Sequence, residues 1–336
     1  MVSASVKDVA ALAGVSVGTV SNVLNRPEKV SADVMSRVQA AIDKLGFVRN
    51  DAARQLRAGM SHSIGLVVLD AANPFFTELA RGAEDKAAAA HFTVLVGNSN
   101  EDARREAAYL DLFEQQRVRG VLLSPVGNVI PRLEQLRGRG IPTVLVDRQT
   151  DNLSFSSVAV DDLAGGEMAA AHLLSLGRRR IAFVGGPSSI RQVADRLSGA
   201  RKAIQNVAGA TLEVVETESL TVLSGRAAGE AIRLRPAAMR PDAIFAANDL
   251  LAMGVLQGLM LMGDVQVPQE IALIGYDDIE FAAAAVVPLS SIRQPSALIG
   301  STALELLLRE AGSDAGFTPT QIVFPPELVI RASTAG

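Results

Sequence analysis

The 336-residue sequence predicts a small all-α head joined to a large α/β body. Three observations predict it. Residues 1–60 carry closely spaced helical patterns and no strand-like run. From Ile64 onward, short apolar runs alternate with longer amphipathic stretches, as parallel strands alternate with covering helices. More than ten such runs occur, too many for one comfortable sheet, so the body divides into two similar lobes.

In the head, Val6, Val9, Ala10 and Ala13 recur at helical spacing. Gly14-Val15-Ser16 ends that helix, and Ser16 suits the N-cap of a second over Val17–Leu24. Val17, Val20, Val23 and Leu24 form its apolar face. A third helix is expected from about Ala32 to Leu45, capped by Ser31 and stopped by Gly46. A short polar helix is expected over Asn50–Arg57.

In the body, strands are expected at IGLVVL (64–69), FTVLVG (92–97), GVLLS (120–124), PTVLV (142–146) and SSVAV (156–160). A second series follows at IAFVG (181–185), near 212–216, at AIFAA (243–247), IALIGY (271–276) and SSIRQ (290–294). A helix over 296–311 and the short strands QIVF (321–324) and ELVI (327–330) finish the chain. In such sheets ligands bind beyond the carboxyl ends of the strands, so the cleft between lobes is the expected site.

Net charge is −4, which alone argues against a nucleic-acid partner. The charge is uneven, however. Residues 1–60 hold eight Lys/Arg against five Asp/Glu, net +3, and the remainder is net −7. A basic head on an acidic body suits a protein that touches phosphate with one end. The chain has no cysteine, which excludes disulfides and thiolate metal sites. The N-terminus lacks a secretory pattern and no run of 18 apolar residues occurs, so a cytoplasmic protein without a membrane partner is expected.

The head has the spacing of a helix-turn-helix. Ala10 is small where a second helix crosses, Gly14 allows the turn, and Val20 and Val23 lock the second helix. An ordinary helical hairpin would use the same residues. The polar face adds to the case: Ser16, Gly18, Thr19, Ser21, Asn22 and Asn25 are short enough to lie against base edges and phosphates. Asn22 could pair with adenine.

VKDVAALAGVSVGTVSNVLN, KVS (29–31) and LGFVRNDAARQLRAG (45–59) resemble the lactose/galactose repressor family. IGLVVLDAANPFF, ADRLSGA, FAANDLLAMG, IALIGYDD and SSIRQP extend the resemblance over nearly the whole chain. It implies a transcription regulator that binds a near-palindromic operator as a dimer. The implied DNA contacts are Ser5, Val6, Ser16, Val17, Gly18, Thr19, Ser21, Asn22, Asn25, Lys29, Val30 and Ser31. Asn50, Ala53, Leu56 and Arg57 would lie in a minor-groove hinge helix, with Leu56 as the wedge between bases. Many members carry Arg at Asn22 and Pro at Arg49, departures that imply a different base preference and a less rigid approach to the hinge.

The resemblance also implies a body like periplasmic sugar-binding proteins, with crossings between lobes near Asp161, Ser290 and Thr320. The implied division is 1–48 for the head, 49–60 for the hinge, 61–160 with 291–320 for the first lobe, and 161–290 with 321–336 for the second. Asp70, Asn73, Phe75, Phe76, Asp147, Arg148, Arg196, Asn248 and Asp277 fall at strand ends or loops and are the candidate effector ligands. Carboxylates and Arg suit sugar hydroxyls, and Phe75 and Phe76 could stack on a sugar face. Some members have a stacking aromatic where Leu220 stands, and purine-binding members tend to have Arg at Ile190. Asp161 and Asp162 read as caps of the following helix, and Asn248 and Asp277 could cap as well as bind.

Two other functions compete with this one. An enzyme would need a catalytic constellation. The three histidines lie far apart in sequence, and no P-loop or GxSxG occurs, so no catalytic residue, metal or cofactor is expected. A small-molecule binding protein without operator specificity would explain the body but not the head. The chain ends soon after Arg331 without a leucine-heptad tail, so a tail-mediated tetramer is not expected.

Overall fold

A computed structural model describes residues 4–47, 61–150, 152–261, 265–312 and 316–335. The chain separates into two compact units, residues 1–60 and 61–336.

The first unit contains α1 (Val6–Ala13), α2 (Val17–Asn25) and α3 (Ala32–Leu45). Val9, Ala10, Ala13, Val20, Val23, Val38 and Ala41 close its core. At Ser5 the backbone N–H and the hydroxyl both donate to the Asp8 carboxylate, at 2.8 and 2.7 Å, fixing the start of α1. Those two bonds hold the Asp8 pKa below the usual carboxylate value. Gly14 ends α1 at φ +64°, a left-handed conformation that favours glycine. Arg37 of α3 donates to the carbonyls of Ala13 and Gly14 at 2.6 and 3.2 Å, so the third helix satisfies the end of the first.

The second unit holds two six-stranded sheets. The first lobe is built from β1 (Ser63–Val68), α4 (Pro74–Ala89), β2 (Thr93–Asn98), α5 (Ala103–Gln115), β3 (Val121–Leu123), α6 (Ile130–Gly138), β4 (Thr143–Val146) and β5 (Ser156–Val160). The second is built from α7 (Asp162–Ser175), β6 (Arg180–Val184), α8 (Arg191–Gln205), β7 (Thr211–Val215), α9 (Val222–Arg233), β8 (Ala243–Ala246), α10 (Asp249–Met260), β9 (Ala272–Asp277), α11 (Glu280–Ala284) and β10 (Ser290–Arg293). The chain then returns with α12 (Ser296–Gly312) and β11 (Gln321–Phe324), and ends with β12 (Glu327–Val329).

The strand orders are β11-β5-β4-β3-β1-β2 and β12-β10-β9-β8-β6-β7. Every pairing is parallel except β10 with β12. Strands buried on both faces need continuous apolar runs, as in β3, β4 and β8, whose residues are all buried.

Two of the expected crossings move. β10 pairs with β9, so the second crossing follows Arg293 instead of Ser290. β11 pairs with β5 from Gln321↔Ser157 to Phe324↔Val160, so the third lies at Pro325-Pro326, beyond Thr320. QIVF therefore belongs to the first sheet and ELV to the second. Two adjacent prolines cannot donate to a ladder, which separates the two strands. The first crossing, at Asp161, lies where expected.

Candidate functional site: a polar cleft between two lobes, and a helical head

In the body, the polar residues converge at the carboxyl ends of both sheets. Asn73 caps α4 by accepting from the Phe75 N–H at 3.0 Å. Its amide nitrogen donates across the cleft to Asp277 Oδ2 at 3.1 Å. Gln192, on the first turn of α8, donates back across it to the carbonyl and Oδ2 of Asp147, at 2.6 and 2.8 Å. Gln294 donates to the other Asp277 oxygen at 2.7 Å. The two lobes are thus joined by reciprocal amide–carboxylate bonds.

Asp147 and Asp277 hold equivalent places, each at the end of the fourth strand of its lobe. Both take positive φ, +54° and +105°. Such backbone is uncommon away from glycine and here turns the carboxylates toward the cleft.

Arg196 is the electrostatic centre. It is 4% exposed, donates to Asp162 at 2.7 Å and to the Ala247 carbonyl at 2.8 Å, and stands 3.8 Å from Asp277. Its guanidinium lies 3.7 Å from the centre of the Tyr276 ring. Glycine brings α7 and α8 close enough for this: a Cβ at Gly166 would collide with the Arg196 carbonyl, and one at Gly199 with the Leu163 carbonyl. Burial works against the Arg196 charge, but Asp162, Tyr276, Asp277 and Asp147 outweigh it and raise the pKa.

Burial pushes Asp147 well above the usual carboxylate range. Asp162 adds to the shift, while Arg196 and the Gln192 bond oppose it. Burial also raises Asp277, against Arg196, Asn73 and Gln294. Asn248 caps α10 through the Leu251 N–H at 2.9 Å and donates to the Leu220 carbonyl at 3.2 Å. Asp249 accepts from the Ile279 N–H and the Ser291 hydroxyl, at 2.9 and 2.7 Å.

These groups surround an inner cavity of about 30 Å³. Asp70, Asn73, Phe75, Phe76, Asp147, Arg196, Asn248 and Asp277 all line it. Eight of the nine expected effector residues are therefore brought together. Phe75 and Phe76 meet edge to face, with ring centres 5.0 Å apart. The cavity has room for about two waters. A sugar therefore requires the lobes to separate or the Gln192 bonds to give way. An outer chamber of about 370 Å³ adjoins it and shares Leu69, Glu101 and Ile190 as wall.

Arg148 is not in the inner wall. It is half-buried beside Glu106, Arg191 and Asp195, and burial, then Arg191, lower its pKa. Left-handed backbone at Asp147 turns the next side chain away. Asp162 likewise departs from the expected cap: Asp161 alone accepts from the Ala164 N–H, at 2.9 Å, and Asp162 pairs with Arg196. Gln192, Gln294 and Glu101 were not among the expected residues. An amide in an amphipathic helix or after a strand carries no distinguishing pattern. Only the fold shows that 192 and 294 face the strand-end carboxylates.

In the head, Ser16 accepts from the Thr19 N–H at 3.0 Å and its hydroxyl meets that of Thr19 at 2.9 Å. Ser16, Gly18 and Asn22 are exposed, while Thr19 and Ser21 are half-buried. Val17 is 42% exposed, so it faces solvent with the polar residues instead of joining the core. It stands at the first position of α2. Ser5, Lys29 and Ser31 are exposed and Val6 and Val30 half-buried. Asn25 ends α2. Asn50, Ala53, Leu56 and Arg57 lie outside the described residues.

The sequence profile of bacterial regulatory proteins, lacI family, matches residues 5–50, and that of the periplasmic binding protein-like domain matches residues 170–334. The chain is 37% identical over 306 residues to the ribose operon repressor of Bacillus subtilis (strain 168), which spans 91% of both chains. The chain belongs to the LacI family. It is a DNA-binding transcription regulator with a small-molecule-binding body. The lac repressor dimer bound to operator and the anti-inducer ONPF matches it with a TM-score of 0.81 at 25% identity, over 99% of each chain. A LacI family regulator from Enterococcus faecium with bound ribose matches with a TM-score of 0.72 at 28% identity, over 81% of this chain and 98% of that one.

Proposed function

We propose that this LacI-family member is a cytoplasmic, non-enzymatic repressor that binds a near-palindromic operator as a dimer and is controlled by a small sugar, with a pentose such as D-ribose as the first choice. The observation that carries the sugar assignment is the convergence of Asn73, Asp147, Arg196, Asn248 and Asp277 on one buried cavity with Phe75 and Phe76 in its wall. Hydroxyls that both donate and accept match such a set, and the rings offer an apolar face. The relatives named for a ribose operon and the ribose-bound regulator support the pentose.

In the head, the exposed row Ser16, Val17, Gly18 and Asn22 is the surface assigned to the major groove. Val17 can meet a thymine methyl and Asn22 an adenine edge. Two heads related by a two-fold axis would read two half-sites. Ligand control requires that the sugar bind differently to the DNA-competent and DNA-free states.

The test is selection of DNA from a randomised pool by the full chain at fixed salt, with and without a panel of sugars. The proposal expects a two-fold-symmetric site whose affinity one sugar shifts. In Asn22→Ala, affinity should fall by about 1–3 kcal/mol, with specificity relaxed at one base pair per half-site. Sugar binding without selection of any DNA would favour a binding protein that lacks operator specificity.

A further inference from the structure

Building on the sugar reading above, we infer that the effector is an uncharged, unphosphorylated sugar, and that the cleft is built to reject phosphate esters. The chemistry of the wall carries this. Asp70, Glu101, Asp147 and Asp277 line the inner cavity and Glu218 lines the outer chamber. Among the described residues that line the two chambers, Arg196 is the one base, and it is already committed to Asp162 at 2.7 Å. A phosphate dianion would enter a space walled by five acidic side chains, with no free cation among the described lining residues to receive it.

The unmet hydrogen bonds point the same way. Asp147 Oδ1, Gln192 Oε1 and Gln294 Oε1 are buried without a hydrogen-bond partner. The two amide oxygens can only accept, and the aspartate oxygen accepts when its carboxyl is ionised. A buried acceptor left unpaired is costly, so a ligand that donates is favoured at each. Neutral hydroxyls donate; phosphate oxygens at neutral pH mainly accept.

One feature favours an anion. The start of α8 carries no side-chain cap at Ile190, which lies in the wall of both chambers. A helix N-terminus is equivalent to about half a positive charge. It is outnumbered by the carboxylates, and Asp147 already faces that first turn through Gln192. The other two helix starts at the site are occupied by the Asn73 and Asn248 caps. The sensed species is then the substrate of a sugar-phosphorylating reaction, not its product.

The experiment is calorimetry on the full chain at about 0.15 M salt, where longer-range charge effects are partly screened. D-ribose, D-arabinose and D-glucose are each compared with the corresponding terminal phosphate ester. The inference expects one free sugar to bind and its ester to bind roughly 100-fold more weakly or not at all, as like-charge contacts in a confined cleft demand. Glu218→Gln should narrow that ratio severalfold, because it removes a charge from the chamber that a substituent would enter. An ester that binds as tightly as the free sugar, or more tightly, overturns the inference and leaves the sugar reading intact. If neither form of any sugar binds while the chain still selects DNA, the sugar reading falls and the inference falls with it.

Discussion

The two lobes share a topology and use it in the same way, yet their contacts are wired differently. In each, the helix after the first strand offers a side-chain amide to the aspartate that ends the fourth strand of the other lobe. In the first lobe that amide is Asn73, whose oxygen is already used to cap α4. In the second it is Gln192, whose oxygen has no partner and whose helix begins at an uncapped Ile190. Asn73 is therefore a structural residue that also reaches the cleft. Gln192 is bound through its nitrogen alone, and a ligand can replace it without unravelling a helix. The second lobe also carries the charge network of Asp162, Arg196 and Asp277, whereas the first supplies Phe75 and Phe76. A repeated fold thus yields one half that fixes geometry and one half that adjusts.

The strongest way to break this comparison is at Arg196. Arg196→Ala leaves Asp162, Asp277 and Asp147 buried without their cation. Stability of the body should fall by about 3–5 kcal/mol, read from urea unfolding, and sugar binding should be lost. The two bonds between lobes come next. Asn73→Ala loses a cap and a bond to a carboxylate, about 2–3 kcal/mol in all. Gln192→Ala loses only its bonds to Asp147, about 1–2 kcal/mol, and should loosen the closed lobes, read as a larger radius of gyration in solution scattering. Equal losses from the two variants would mean that the asymmetry has no energetic consequence.

A pH series sharpens the same point. Burial raises Asp147, Asp249 and Asp277 in the folded chain. A carboxyl with a raised folded pKa takes up its proton more readily folded than unfolded. Its contribution is full below the unfolded value near 3.9 and is lost as pH rises through the folded pKa. Removing one such group should therefore flatten the loss of stability between acid and neutral pH. Asp147→Asn is expected to do so, measured as the difference in urea midpoint from the unaltered chain across pH 4–7. An identical pH slope in both would contradict the assignment. The smallest effect is in the head. Arg37→Ala frees the Ala13 and Gly14 carbonyls and should cost about 1 kcal/mol of head stability, read as earlier loss of DNA binding on heating.

Much of this was legible in the sequence, for reasons that differ by element. Apolar runs such as AIFAA and IALIGY alternate with amphipathic helical stretches, the pattern of buried parallel strands, so the body and its two series of strands followed. Asp147, Asn248 and Asp277 follow such runs directly, and strand ends are where these folds bind. The lobe assignment of QIVF was not legible, because two short strands flanking Pro325-Pro326 look alike until their partners are known. Val17 has the periodicity of a core residue but, as the first residue of α2, stays exposed. The roles of Asp162 and Gln192 depend on the close approach of α7 and α8 and on closure between lobes, which spacing along one chain does not encode.

The most direct test of ligand control is operator affinity with and without the sugar that calorimetry identifies, in the unaltered chain and in Asp277→Asn. Binding to the selected DNA would be followed by fluorescence anisotropy at one salt concentration. The account predicts that saturating sugar changes the affinity of the unaltered chain at least tenfold, a coupling of about 1.4 kcal/mol or more, and that Asp277→Asn abolishes the response. Unchanged operator affinity while calorimetry shows the cleft filled would contradict it.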